Sequence, residues 1–343
     1  MDEVNVTADT GYKLVSDDLI RFLELLLLIP LNCLISLMGV VANSFNVIVL
    51  ARLGFKQNMS YGTMALSITD LTVSGLQLTS EICYVFYYMT ESGSIDFMAL
   101  ATVPVGWMRY AVLNISGWIT SLIATERCFC VIFPFHVKQI CKRSVYIIAL
   151  TLIYFVYFSF VIPIIILEPF TWQEVSSGSL NTSSQTYIYT VVFDDSTLKL
   201  EKLFDTICVL GFALLSQILL LVSTVYMACG IITSSQVRTS HEYKPHHGSV
   251  SGQSSLSLKE KRLISVAVWL AVVLLICSIP RYIIVAVFAI VPAMHAPQNY
   301  TLTNFLVHIS DLFINVNSVF TFFVYFAINR QFKSMFMTVF CNN

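Results

Sequence analysis

Seven ionisable side chains of this chain fall in or beside long apolar stretches: Asp70, Glu81, Arg109, Glu126, Arg127, Arg281 and Asp311. A charge in apolar surroundings is costly, so each such residue marks a pair, an ion or ligand site, or a snorkelling end. Arginine presents a planar fork that fits a carboxylate through two hydrogen bonds. Arg109, Arg281 and Asp311, with Glu81, Tyr282 and His308, compose a mixed-charge, aromatic set suited to a zwitterion, an amino acid or a peptide terminus. Mutual pairing of Arg109 with Asp311 is an equal alternative. Hydrolytic and nucleotide chemistry has no support, since the chain lacks His-Glu-x-x-His, Gly-x-Ser-x-Gly and Gly-x-x-x-x-Gly-Lys-Ser/Thr, and it is not expected to be an enzyme. His241, His246 and His247 lie in a polar Ser/Gly-rich stretch and read as solvated loop residues rather than metal ligands.

The elements that must hold these groups follow from composition. With 57% hydrophobic and 11% charged residues and a mean hydropathy of +0.77, the chain lies outside the range of soluble proteins. A bilayer crossing needs roughly 20 apolar residues, and seven stretches qualify: 25–51, 61–89, 100–125, 145–167, 203–232, 263–292 and 302–326. Residues 329–339 follow, with Phe332, Met335, Phe336 and Val339 at helical spacing, as in a helix lying on a membrane surface. The fold class predicted is an all-α membrane protein, a seven-transmembrane helix bundle with a short C-terminal amphipathic helix.

Orientation follows from the basic residues, which cytoplasmic loops retain. An extracellular N-terminus puts 13 of the 19 Lys and Arg inside, among them Arg52, Arg143, Arg262 and Lys333, and leaves Lys13, Arg21, Lys199 and Lys202 outside. The expected organisation is an acidic extracellular tail over 1–24 and a seven-helix domain over 25–328. That domain contains a flexible cytoplasmic loop at about 234–258, and 329–343 forms the amphipathic helix and tail. The sequons at Asn5, Asn181 and Asn299 then face outward and are candidate glycosylation sites. No cleavable signal peptide is evident, so the first span is expected to act as the anchor. Cys341 is a candidate for palmitoylation, with a free thiol as the alternative. The expected location is the plasma membrane, with lipid as a partner and no role for nucleic acid.

The spans also carry an ordered set of landmarks. Asn43 follows Gly39 in the first span; Leu66-Ser67-Ile68-Thr69-Asp70 lies in the second; Glu126-Arg127-Cys128 ends the third, with Pro134-Phe135 beyond it; Cys277-Ser278-Ile279-Pro280 lies in the sixth; Tyr325, Asn329 and Phe332 close the seventh. In this order and spacing the chain resembles the rhodopsin-like (class A) G-protein-coupled receptors over nearly its whole length. Its divergence is similar in character to invertebrate, including molluscan, chemosensory and peptide receptors. The resemblance implies a receptor that binds an extracellular peptide or small-molecule ligand and activates a heterotrimeric G protein. It implies that Arg127 pairs with Glu126 and with Glu260 in the inactive state, although Glu260 equally belongs to the charged run Lys259–Arg262. Pro280 supplies the kink of a swinging sixth helix, Tyr226 and Tyr325 steady the active state, and Asp70, Ser116, Asn317 and Ser318 form an allosteric sodium site. No other cofactor is implied.

The departures are specific. The seventh span reads Thr321-Phe322-Phe323-Val324-Tyr325, without the usual Asn-Pro, which removes an expected polar partner of Asp70. Ser278 replaces the toggle tryptophan, and Ile218 replaces the proline of the fifth span. No cysteine lies between Cys141 and Cys208, so no outer disulfide is expected and the second outer loop should be less tethered than usual. A receptor-like protein that no longer signals is therefore the main alternative. A secondary transporter is weaker, because the halves show no repeat.

Overall fold

A computed structural model describes residues 14–54, 58–90, 94–133, 142–176, 185–191, 199–200, 203–204, 207, 211–242, 258–291, 294 and 299–341. Eight helices can be followed. They are α1 (Asp17–Leu53), α2 (Asn58–Met89), α3 (Phe97–Ile132), α4 (Arg143–Leu167), α5 (Ala213–Glu242), α6 (Leu258–Ile290), α7 (Tyr300–Ile328) and the short α8 (Arg330–Phe340). The protein is an all-α membrane bundle: six helices are long and apolar enough to cross a bilayer, and α2, more polar because it carries Asp70 and Glu81, is the seventh. With no water to satisfy it, a lipid-embedded backbone must bond within its own helix.

The buried stripes follow helical spacing. On α4, Tyr146, Leu150, Tyr157, Val161 and Ile164 face the bundle, while Ile148, Leu152, Phe155 and Ile166 point outward. The central helix is α3, whose Ala111, Ile115, Ile119, Ile123 and Ala124 are all buried. Helices in lipid gain little from apolar burial and associate through close packing. Accordingly Gly39 of α1 sits where an added Cβ would collide with the Ser74 side chain of α2. Gly54 ends α1 at φ 73°, a conformation that glycine adopts without strain.

Four features depart from the expected layout. Helix α1 begins at Asp17, inside the predicted tail, because Asp17 and Asp18 in its first turn complement the helix dipole. Helix α5 runs on to Glu242, so residues 234–242 are helical rather than part of a loop. Two π-helical turns, Glu24–Leu28 and Ala101–Gly106, interrupt α1 and α3 near the N-terminal end of the bundle; Pro104 in the second removes a backbone donor. Finally, the segment after α4 forms an antiparallel hairpin of β1 (Phe170–Ser176) and β2 (Gln185–Val191), with Phe170 opposite Val191 and Ser176 opposite Gln185.

That hairpin is tied to the start of α3 despite having no cysteine. Tyr189 N donates to Ser94 O (2.8 Å) and Asp96 N to Tyr189 O (3.0 Å). Thr190 Oγ1 donates to Asp96 Oδ2 (2.8 Å), and the other oxygen of Asp96 caps α3 through Ala99 N (2.9 Å). The expectation of a loosely held loop is thus corrected: backbone pairing and one carboxylate hold β2 to α3.

Candidate functional site

The charged residues near the N-terminal end assemble from four helices. Arg109 of α3 donates through Nη2 to Asp311 Oδ2 of α7 at 2.7 Å and through Nη1 to Gln77 Oε1 of α2 at 2.5 Å. Gln77 Nε2 donates onward to Glu81 Oε1 at 2.6 Å. Glu24, in the π turn of α1, accepts from Tyr88 Oη at 2.7 Å and lies 3.6 Å from His308 Nδ1. The Tyr84 ring meets His308 edge-on at 4.6 Å. Arg109 and Asp311 are 13% and 3% exposed at their side chains, so a large desolvation cost opposes their attraction. A cavity of about 210 Å³ opens beside Tyr84, Arg109, His308 and Asp311.

A larger cavity of about 340 Å³ lies among α3, α5, α6 and α7. Tyr110, Leu113 and Asn114 contribute from α3 and Ser216 and Gln217 from α5; Leu274, Cys277, Ser278, Arg281, Tyr282 and Val285 come from α6, and Ile314 and Asn317 from α7. The Arg281 guanidinium stacks over Tyr110, 4.1 Å from the ring centroid. Its Nη2 is buried without a hydrogen-bond partner among the described residues, as is Gln217 Oε1. No Asp or Glu is among the described lining residues. The six residues predicted for one pocket therefore divide. Arg281 and Tyr282 face the central cavity, Arg109, Asp311 and His308 face the smaller one, and Glu81 is fully buried behind Gln77.

Between the cavities and the far end runs a hydroxyl-rich network. Asp70 Oδ1 accepts from Ser116 Oγ (2.7 Å) and Oδ2 from Thr321 Oγ1 (3.1 Å). Ser318 Oγ bonds to Asp70 O (3.2 Å), accepts from Asn43 Nδ2 (3.0 Å) and pairs with Ser74 Oγ (3.0 Å). Asn46 Nδ2 extends the chain to Asn43 Oδ1. Of the four residues predicted to share a cation, Asp70 and Ser116 touch directly, Ser318 binds the Asp70 backbone, and Asn317 faces the central cavity. Thr321, in the position where the asparagine is missing, restores the polar partner that seemed lost.

At the C-terminal end of the bundle, Arg127 Nη2 binds Glu126 Oε1 at 2.8 Å, with both residues buried. Glu260 falls in the first turn of α6, and its side chain lies outside the described residues. Pro280 sits within the 33-residue α6, between cavity residues Ser278 and Arg281. Tyr325 is 1% exposed, packed against Phe332, and its hydroxyl has no hydrogen-bond partner among the described residues. Tyr226 instead stands 55% exposed on the outer face of α5, away from the core. Asn329 caps α8 by accepting from Gln331 N and Phe332 N, and Cys341 follows it, exposed and free.

Asn5 and Asn181 lie outside the described residues. Asn299 is only 2% exposed and accepts from Leu14 N at 3.3 Å, which leaves no room for a glycan in this packing. Gln77, Glu24 and Tyr110 were not anticipated as site residues, and Thr321 was expected only as the loss of a polar partner. Gln77 and Glu24 were legible as polar residues in or at the edge of apolar spans, whereas Tyr110 and Thr321 acquire importance only from their neighbours.

A seven-helix membrane bundle with a cavity among its helices at one end and a buried Glu-Arg pair at the other is the arrangement expected of a receptor of the G-protein-coupled type. Residues 30–343 match the family described as serpentine type 7TM GPCR chemoreceptor Srw, and the chain belongs to that family. No curated protein matches it.

Proposed function

We propose that the chain is a rhodopsin-like (class A) chemosensory receptor of the divergent, molluscan-type invertebrate set. In this reading it lies in the plasma membrane with its N-terminus outside, takes an extracellular small molecule, amino acid or peptide terminus into the central cavity, and activates a heterotrimeric G protein at its inner end. One observation carries the reading: the cavity wall includes Ser278 and Arg281, on either side of Pro280 in α6. A proline inside a helix removes one backbone bond and permits bending. A ligand seated there bears directly on the hinge, and the roughly 20 residues from Pro280 back to Glu260, about 30 Å of helix, carry that bend to the first turn of α6. Displacing that end from Arg127 opens a cleft, a change between two packed arrangements.

The basic-residue asymmetry supports the orientation, and the Asp70 network supports an allosteric sodium site. The donor set there fits a hard cation, with the carboxylate of Asp70 and the hydroxyls of Ser116 and Thr321 as oxygen ligands. Ser318 and Asn317 contribute less, being engaged elsewhere.

The test is a G-protein dissociation reporter in cells expressing the chain, screened with small acids, amino acids and short peptides. A response abolished by Arg127→Ala at unchanged surface expression supports the reading. Constitutive silence across all G-protein classes and ligands favours the receptor-like protein that no longer signals, for which the outward-facing Tyr226 and the Ser278 replacement speak.

A further inference from the structure

We infer that the central cavity selects a compact organic carboxylate, and that Arg281, not Arg109, is the residue that holds it. The inference rests on the receptor reading and names the ligand class of the same site. The two arginines differ in what they have left to give. Arg109 spends Nη2 on Asp311 and Nη1 on Gln77, and although its Nε lacks a partner among the described residues, its charge is met by a carboxylate at 2.7 Å. Arg281 faces a cavity whose described lining holds no acid, and its Nη2 is buried without a hydrogen-bond partner among the described residues. A buried donor on a cation that is left unmet is costly, and an anion entering the cavity removes that cost.

The Tyr110 ring fixes the geometry. With its guanidinium carbon held 4.1 Å over that ring, Arg281 keeps its N–H groups in the single plane of the fork. A planar two-oxygen acceptor approaching edge-on is the group that fits. Leu113, Leu274, Val285 and Ile314 supply apolar walls for the rest of the ligand. At about 340 Å³ the cavity is near the lower limit of small-molecule pockets, so the ligand body is of the order of one ring or one branched side chain. A peptide engages the cavity with no more than its C-terminal residue.

The experiment uses the full chain purified into lipid nanodiscs, with benzoate as the probe and benzamide and benzylamine as matched neutral and cationic controls. Thermal unfolding is followed at increasing probe concentration, because a ligand that binds only the folded state raises the midpoint in a saturable way. Benzoate is expected to stabilise the protein saturably while both controls fail. Arg281→Gln is expected to weaken benzoate about tenfold to hundredfold, the range for hydrogen bonds to a charged group. Arg281→Lys, which keeps the charge and loses the fork, is expected to fall between, and it serves if the Gln variant does not fold. Arg143→Gln, removing a cation outside the cavity, is expected to leave benzoate unaffected. Equal stabilisation by benzamide, absence of a saturable benzoate effect, or undiminished benzoate binding by both Arg281 variants overturns the inference. Nucleotide exchange by added heterotrimeric G protein, read on the same preparation, separates the two readings. Exchange without any carboxylate effect overturns the ligand class alone, whereas carboxylate binding at Arg281 without exchange overturns the receptor alone.

Discussion

Replacing Asp311 by Ala strands Arg109 among buried groups, with Gln77 as its remaining hydrogen-bond partner at 2.5 Å. Removing one member of a buried pair costs about 3–5 kcal/mol, because the other charge stays desolvated and unmet. The pair here is close (2.7 Å) and the Asp311 side chain is 3% exposed, so screening gives no relief. For a chain of 343 residues, an unfolding entropy of about 2.1 cal/mol/K per residue gives about 0.7 kcal/mol/K, hence a fall in melting midpoint of roughly 4–7 °C. Helices persist in lipid after tertiary structure is lost, which lowers the entropy and enlarges the shift. The assay is thermal unfolding of the purified protein in nanodiscs for Asp311→Ala, Arg109→Met and the double variant. The double variant removes both charges and is expected to lose no more than either single change, so the coupling is at least one single loss, about 3–5 kcal/mol, at or above the top of the range for contacting residues. Strictly additive losses, or single variants that melt with the wild type, refute the assignment of this pair as a structural clamp and return Arg109 to the ligand.

Glu126→Gln weakens the hold on Arg127; with one charge-assisted hydrogen bond of 2.8 Å reduced, basal G-protein activation should rise about tenfold or more, measured as nucleotide exchange in membranes. Asp96→Ala removes both the α3 cap and the Thr190 bond. It should cost about 1–2 kcal/mol and accelerate amide exchange selectively over 185–191, whereas unchanged protection there shows that backbone pairing alone holds the hairpin. Thr321→Val deletes one of the two hydroxyl donors to Asp70 and should shift the sodium dependence of basal signalling, while Tyr226→Phe, on an exposed face, should leave basal signalling at the wild-type level.

The seven crossings were legible because hydrophobic length is a local property, and the ends were misjudged where it is not. Asp17 and Asp18 look like a tail until their position in a first helical turn turns their charge into a stabilising term. The 234–242 extension of α5 is polar for the same reason that it is hidden from an apolar count. The strands β1 and β2 escaped because their partner is not in the sequence pattern of either one alone. The fastening of β2 to Ser94 and Asp96 depends on a loop about 94 residues away in the chain. Site residues show the same division. Single charges in apolar runs announced themselves, but whether Arg109 meets a ligand or Asp311 is a question of geometry between helices. Arg281 was legible as a charge, and the absence of an acid from the described lining of its cavity was not.

The central claim is that α6 moves away from α3 when a G protein binds. The direct measurement is the distance between nitroxide labels at Ile132 and Leu263, read by pulsed electron resonance in nanodiscs. The exposed Cys229 and Cys341 and the partly exposed Cys33 and Cys130 are replaced by Ser together with Cys141 and Cys208, and nucleotide-free heterotrimers of the stimulatory, inhibitory and phospholipase-coupled classes are added in turn. At least one heterotrimer is expected to shift the distribution to a longer distance, and Arg127→Ala is expected to abolish the shift. An unchanged distance with every heterotrimer contradicts the claim.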